Sequence, residues 1–66
     1  MSQKVGVALR EARARQGITQ VDLSKKAKVS QAYIARLEGG DKKNPSLAVV
    51  QRLAKALGVP IGELLQ

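Results

Sequence analysis

The 66-residue chain carries twelve Lys and Arg against five Asp and Glu, a net charge of +7, with 44% hydrophobic residues and a single aromatic, Tyr33. It has no Cys and no His, which excludes a disulfide scaffold, a thiolate zinc site and imidazole acid–base chemistry. Leu, Ile and Val make up 18 residues, 27% of the chain, above the roughly 20% below which a charged chain tends to stay disordered; one small folded domain over residues 1–66 is expected.

Ala-, Leu-, Lys-, Arg- and Gln-rich segments without period-two alternation predict an all-α fold of short helices with clear stops. The first helix is expected from about Ser2 to Gln16. Val5, Leu9 and Ala12 form its apolar stripe, and Gly17 is its left-handed stop. The second starts at Thr19, a cap with Asp22 three residues on, and Ile18 and Leu23 are placed as a hydrophobic staple. Val21, Leu23 and Ala27 are its apolar residues, and it ends near Ala27 or Lys28. The third repeats this grammar: Ser30 caps, Val29 and Ile34 staple, Ile34 and Leu37 face inward, and Gly39-Gly40 ends it. A polar basic loop then runs to Pro45. Ser46 caps a fourth helix, with Leu47, Val50, Leu53, Ala54 and Leu57 expected on its inner face and Gly58 as its stop. Val59-Pro60 leads into a last short helix, Ile61 to Leu65.

The charge is uneven. Residues 1–43 hold a net +6 and residues 44–66 a net +1, which points to a nucleic acid or an anionic membrane surface as partner for the first part. A membrane binder is disfavoured, because the helical stripes are narrow and used up by mutual packing. The apolar runs are too short to cross a bilayer, and the first residues lack the apolar core of a signal peptide. The five carboxylates, Glu11, Asp22, Glu38, Asp41 and Glu63, do not cluster in the sequence, so an enzyme is not expected. Gly39-Gly40 is not followed by the Lys-Ser/Thr of a nucleotide-binding loop.

Residues 19–38 are the informative segment. Two helices of about eight residues meet across a two- or three-residue turn, and helices this short need packing to form. Leu23, Ala27, Val29, Ile34 and Leu37 supply a shared corner core. Gln31, Ala32, Ala35 and Arg36 are left off the buried face of the third helix. Those side chains suit a DNA major groove: Gln pairs with adenine, Arg with guanine, and Ala touches a thymine methyl.

Arg13, Gly17-Ile18-Thr19-Gln20, Leu23, Ala27, Val29-Ser30, Tyr33-Ile34, Leu37-Glu38 and Gly40 recur in a characteristic order. Asn44-Pro45-Ser46-Leu47, the run from Leu53 to Pro60, and Glu63-Leu64-Leu65 follow. This pattern resembles the Cro/repressor-type helix-turn-helix family, which includes lambdoid phage repressors and Xre-like bacterial regulators. The resemblance implies a compact five-helix, lambda-repressor-like DNA-binding domain with its helix-turn-helix at helices 2 and 3, about residues 19–38. It implies base contacts from Gln31, Ala32 and Arg36. Gln20, Ser30, Tyr33, Lys42, Lys43 and Asn44 are implied as contacts along the sugar-phosphate chain. Arg13 and Glu38 lie on inward faces and are implied as a structural ion pair. Lys28 departs from the pattern: the family usually has Gly there, for a positive φ. Either the turn differs or the protein absorbs a strain of about 1 kcal/mol.

The expected function is sequence-specific binding of double-stranded DNA by a transcriptional regulator, a repressor reading a palindromic operator. The alternative is a protein-interaction module of the same fold, such as an antitoxin that also autoregulates its operon. The regulator is expected in the cytoplasm, bound to the nucleoid of a bacterium or to phage DNA. No cofactor, metal or small-molecule ligand is expected. With no effector domain visible, dimerisation is expected through this domain itself, at the C-terminal region with Val49, Ile61 and Leu65 as candidates, or through an extension that the sequence lacks.

Overall fold

A computed structural model describes residues 4–41 and 44–65. They form five helices: α1 (Lys4–Gln16), α2 (Gln20–Ala27), α3 (Gln31–Glu38), α4 (Leu47–Leu57) and α5 (Ile61–Leu65). The expected start of α1 at Ser2 lies outside the described residues.

The helix starts follow from hydroxyl caps. The Asp22 amide donates to Thr19 Oγ1 (3.0 Å) and the Thr19 amide donates to Asp22 Oδ2 (3.1 Å), a complete capping box. Ser30 Oγ accepts from the Tyr33 amide and Ser46 Oγ from the Val49 amide, each at 3.1 Å. Every such cap satisfies an amide that has no partner within its helix.

The helix ends share one device. The chain turns left-handed at Gly17, Lys28, Gly40 and Gly58, and the next amide reaches back five residues. Those bonds run from Ile18 to Arg13 O, Val29 to Ser24 O, Asp41 to Arg36 O and Val59 to Ala54 O. This closure folds the following residue back onto the helix. Ile18, Val29 and Val59 accordingly pack against the core. Lys28 keeps the left-handed conformation, φ 57° and ψ 43°, so the fold absorbs the strain and the turn does not change.

Leu9, Leu23, Ile34, Leu37, Val50, Leu53 and Leu64 are enclosed at the centre. Burying each such side chain contributes roughly 1.5–3 kcal/mol, and this collective term holds α2 and α3, eight residues each, in place. α1 lies against α3 and α5, α2 against α3 and α4, and α4 against α5. One apolar position differs from expectation. Leu47 is 59% exposed rather than inward-facing. It is the first residue of α4, and a helical side chain leans toward the N-terminus, so this one projects past the helix end. Val21 is 40% exposed, lying about 200° around α2 from the buried Leu23.

Gly6 sets the spacing of α1 and α3. A Cβ built there would stand 2.0 Å from the Leu37 carbonyl oxygen. Only glycine lets the two backbones approach this closely.

Candidate nucleic-acid interface

The corner formed by α2 and α3 presents one continuous exposed face. Ile34 and Leu37 turn inward, while Gln31, Ala32, Ala35 and Arg36 are all exposed. Gln31 and Ala35, like Ala32 and Arg36, are four residues apart and share one side of α3. The face therefore carries an amide, two methyl groups and a guanidinium. It also includes the amino end of the helix, where free amides and the macrodipole favour anions.

Behind this face lies a charge cluster joining three helices. Arg13 of α1 grips Glu38 of α3 in a two-pronged bond, Nε to Oε2 and Nη2 to Oε1, each 2.9 Å. A third guanidinium nitrogen, Nη1, donates to the Ile18 carbonyl at 2.9 Å. Gln20, the first residue of α2, donates its side-chain amide to Glu38 Oε1 at 3.1 Å. The Glu38 side chain is only 3% exposed and that of Arg13 18%. Burial pushes the Glu38 carboxyl up, but hydrogen bonds from Arg13 and Gln20 and the charges of Arg13 and Arg10 outweigh it. The group is held below the usual carboxylate range.

The cluster makes Arg13 and Glu38 architectural, since they satisfy each other and tie α1 to α3. Gln20 is half-buried and committed in part to Glu38. Sequence spacing gave no sign of this link, because it crosses between helices. Tyr33 is half-buried against the core, and its Oη accepts from the Ser46 amide at 3.3 Å. It thereby joins α3 to the cap of α4. Ser30 and Asn44 are exposed at the two ends of this region. Lys42 and Lys43 lie outside the described residues. No helix of the described residues is long and apolar enough to cross a membrane, and no group of three or more acidic residues among them could hold a metal ion.

Comparison with known proteins places this geometry. The family model described as "Helix-turn-helix" matches residues 9–64. The chain is similar to the immunity repressor protein of Bacillus phage phi105, 37% identical over 60 residues. It is also similar to the HTH-type transcriptional regulator DdrOP3 of Deinococcus deserti, 38% identical over 58 residues. These matches cover 91% and 88% of this chain but 41% and 44% of the relatives, so the chain spans less than half their length. The fold superimposes on the crystal structure of the restriction-modification controller protein C.AhdI from Aeromonas hydrophila with a TM-score of 0.87. That match has 34% identity and covers 92% of this chain and 91% of the other. With the five-helix fold, the capped α2–α3 corner and these similarities together, the chain belongs to the helix-turn-helix family of Cro/repressor-like DNA-binding domains.

Proposed function

We propose that this domain reads a specific duplex DNA sequence as a transcriptional regulator and represses by occupying an operator that polymerase must cross. The observation that carries the reading is the exposed face of α3. Gln31, Ala32 and Arg36 stand on one side of a helix whose other side is locked in the core. An amide, a methyl and a guanidinium are the groups that discriminate base edges in the major groove. Ser30, Asn44, Lys42, Lys43, Gln20 and Tyr33 supply or support backbone contacts that set the register of α3. The relatives support a regulatory role: their names describe a phage immunity repressor, a transcriptional regulator and a restriction-modification controller.

The functional form in this reading is a homodimer joined near the C-terminal end. Val49 and Ile61 are partly buried against the domain's own core, and Leu65 is 46% exposed. Their uncovered surface, in the part of the chain with low net charge, suits a self-complementary apolar contact.

In vitro selection from random duplex DNA at near-physiological salt tests the whole reading. The expected product is an inverted repeat with half-site centres about 10 base pairs apart. A single enriched half-site would refute the dimer but keep the reading helix. Salt-sensitive binding without enrichment would refute sequence recognition and favour an interaction module such as an antitoxin.

A further inference from the structure

Among the described residues, none of the acidic side chains lines one particular cleft. Glu38 is bound by Arg13 and Gln20, Glu63 by Arg15, and Asp22 by the Thr19 cap. Glu11 lines a separate depression with Arg15 and Glu63, and Asp41 sits in the loop after α3. The cleft between the carboxyl end of α2 and the outer side of α4 is lined by Lys26, Ala27, Lys28, Arg52, Lys55 and Ala56. Four cations thus converge on one concavity with two alanines and no carboxylate.

We propose that this cleft is a docking site for an acidic protein segment that carries an apolar side chain. The Lys28 backbone is the first support. It holds a left-handed conformation that glycine adopts without strain, yet the position supplies a cation to the cleft. Arg52 Nη1 donates to the Lys28 carbonyl at 3.3 Å and links the two walls. Mutual repulsion among unneutralised cations favours an anionic partner.

The apolar part of the cleft favours a peptide over a nucleic acid backbone. A phosphate chain is satisfied by cations alone, whereas half-buried Ala56 and the aliphatic stems of Lys26, Arg52 and Lys55 offer a small apolar surface beside the charges; Ala27 is buried and closes the floor. The location gives the same answer. Arg52 and Lys55 lie six and nine residues past the Ser46 cap, about 9 and 14 Å along α4. They are therefore displaced from the end of α4 that Tyr33 ties to the reading helix. On the proposed function, with α3 in a groove the cleft would stay accessible, and Lys28, three residues before Gln31, would put its rim beside the DNA. A protein held there would join the regulator's DNA complex without competing for bases.

The test is a titration of the isotopically labelled chain, followed by amide chemical shifts, at near-physiological salt. The probe is a short synthetic peptide alternating Glu and Leu, with an all-Glu peptide and a random-sequence duplex as comparisons. Shifts concentrated at residues 26–28 and 52–56, tighter binding of the Leu-bearing peptide than of the all-Glu one, and retained binding in the presence of duplex support the site. The double variant Lys26→Gln/Lys55→Gln, both positions exposed, should weaken the peptide about fivefold while duplex affinity changes less. Shifts centred on residues 31–36, equal binding of the two peptides, or displacement of the peptide by duplex would overturn the proposal. So would the random duplex itself mapping to the cleft, which would make it a phosphate surface. None of these outcomes depends on whether α3 selects an operator, so the two readings fail separately.

Discussion

Replacing a helical glycine with alanine usually stabilises a protein, and here one such change should do the opposite. The backbone and side-chain preference for Ala over Gly in a helix is worth about 0.8–1.0 kcal/mol. At Gly62 of α5 the new methyl meets nothing within 4 Å, so Gly62→Ala should recover part of that gain. At Gly6 the methyl would lie 2.0 Å from Leu37 O, 2.9 Å from Leu37 C and 3.3 Å from Glu38 Cα. All three are backbone atoms of α3, which cannot rotate away. The helices must separate by more than about 1 Å, which loosens the packing around Leu9 and Leu37. Overpacking costs about 1–3 kcal/mol, and an unyielding backbone neighbour puts this case at the upper end. After the propensity gain, Gly6→Ala should lose about 2 kcal/mol. A domain of this size has roughly 3–10 kcal/mol in total, and the melting temperature should fall by about 8–16 °C. Urea titration followed by far-ultraviolet circular dichroism would measure both variants. A Gly6→Ala protein as stable as the parent would refute the account of α1–α3 contact.

The remaining predictions concern the charge cluster, the turn and the DNA face. Glu38→Gln leaves the Arg13 guanidinium without its carboxylate in a largely enclosed site; urea denaturation should show a loss of about 2–4 kcal/mol, below a fully buried pair because Arg13 keeps some solvent contact. Stability should also decline below pH about 4. Both Glu38 and Asp22 titrate lower when folded than when unfolded, so their contribution is complete above the unfolded values and disappears as pH falls through the folded ones. Melting curves of Glu38→Gln against pH should be flatter than the parent's, and an unchanged slope would argue against the Glu38 assignment. Lys28→Gly should stabilise by up to about 0.5 kcal/mol, the relief of about 1 kcal/mol of left-handed strain less the added freedom of the unfolded chain; a clear loss in thermal denaturation would contradict this. On cognate DNA, Arg36→Ala should cost about 1–3 kcal/mol and relax preference at one base pair, while Lys43→Ala should weaken all sequences alike and lower the salt slope by about one. Equal effects of the two changes on cognate and random duplexes would abolish the division between base and backbone contacts.

The local grammar of the fold was legible in the residues. Thr19, Ser30 and Ser46 are caps because a short hydroxyl next to an apolar periodic run has one efficient partner, the amide three residues on. Gly17 and Gly58 are stops because the left-handed turn that closes a helix selects them. The family resemblance implies the pairing of Arg13 with Glu38, and the structure adds its two-pronged geometry. What spacing concealed depends on the arrangement of whole helices. Nothing in the spacing of α1 marks Gly6, although its lack of a side chain is what lets α3 close on it. Leu65, named from the sequence as a candidate for an exposed patch, is 46% exposed, but no signal marked Leu64 beside it as fully enclosed. Gln20 could be assigned to DNA by resemblance, but its bond to Glu38 needed two helices in register. The cleft beside Lys28 joins residues about 24 apart in sequence, and no linear motif marks it.

The shortness of α2 and α3 has a consequence for the proposed function. Neither helix can persist alone, so the reading surface exists only when α1, α4 and α5 are docked behind it. On the proposed function, the folded fraction then sets the upper limit on the fraction able to dimerise and bind an operator. A substitution deep in the core, such as at Leu53 or Leu64, would produce a temperature-sensitive regulatory phenotype although it touches no DNA. A tightly bound operator would protect the entire chain from unfolding, by about 2.7 kcal/mol at a hundredfold excess over the dissociation constant. On the proposed function, proteolysis then falls mainly on copies not bound to DNA, so the domain's lifetime follows its occupancy of DNA.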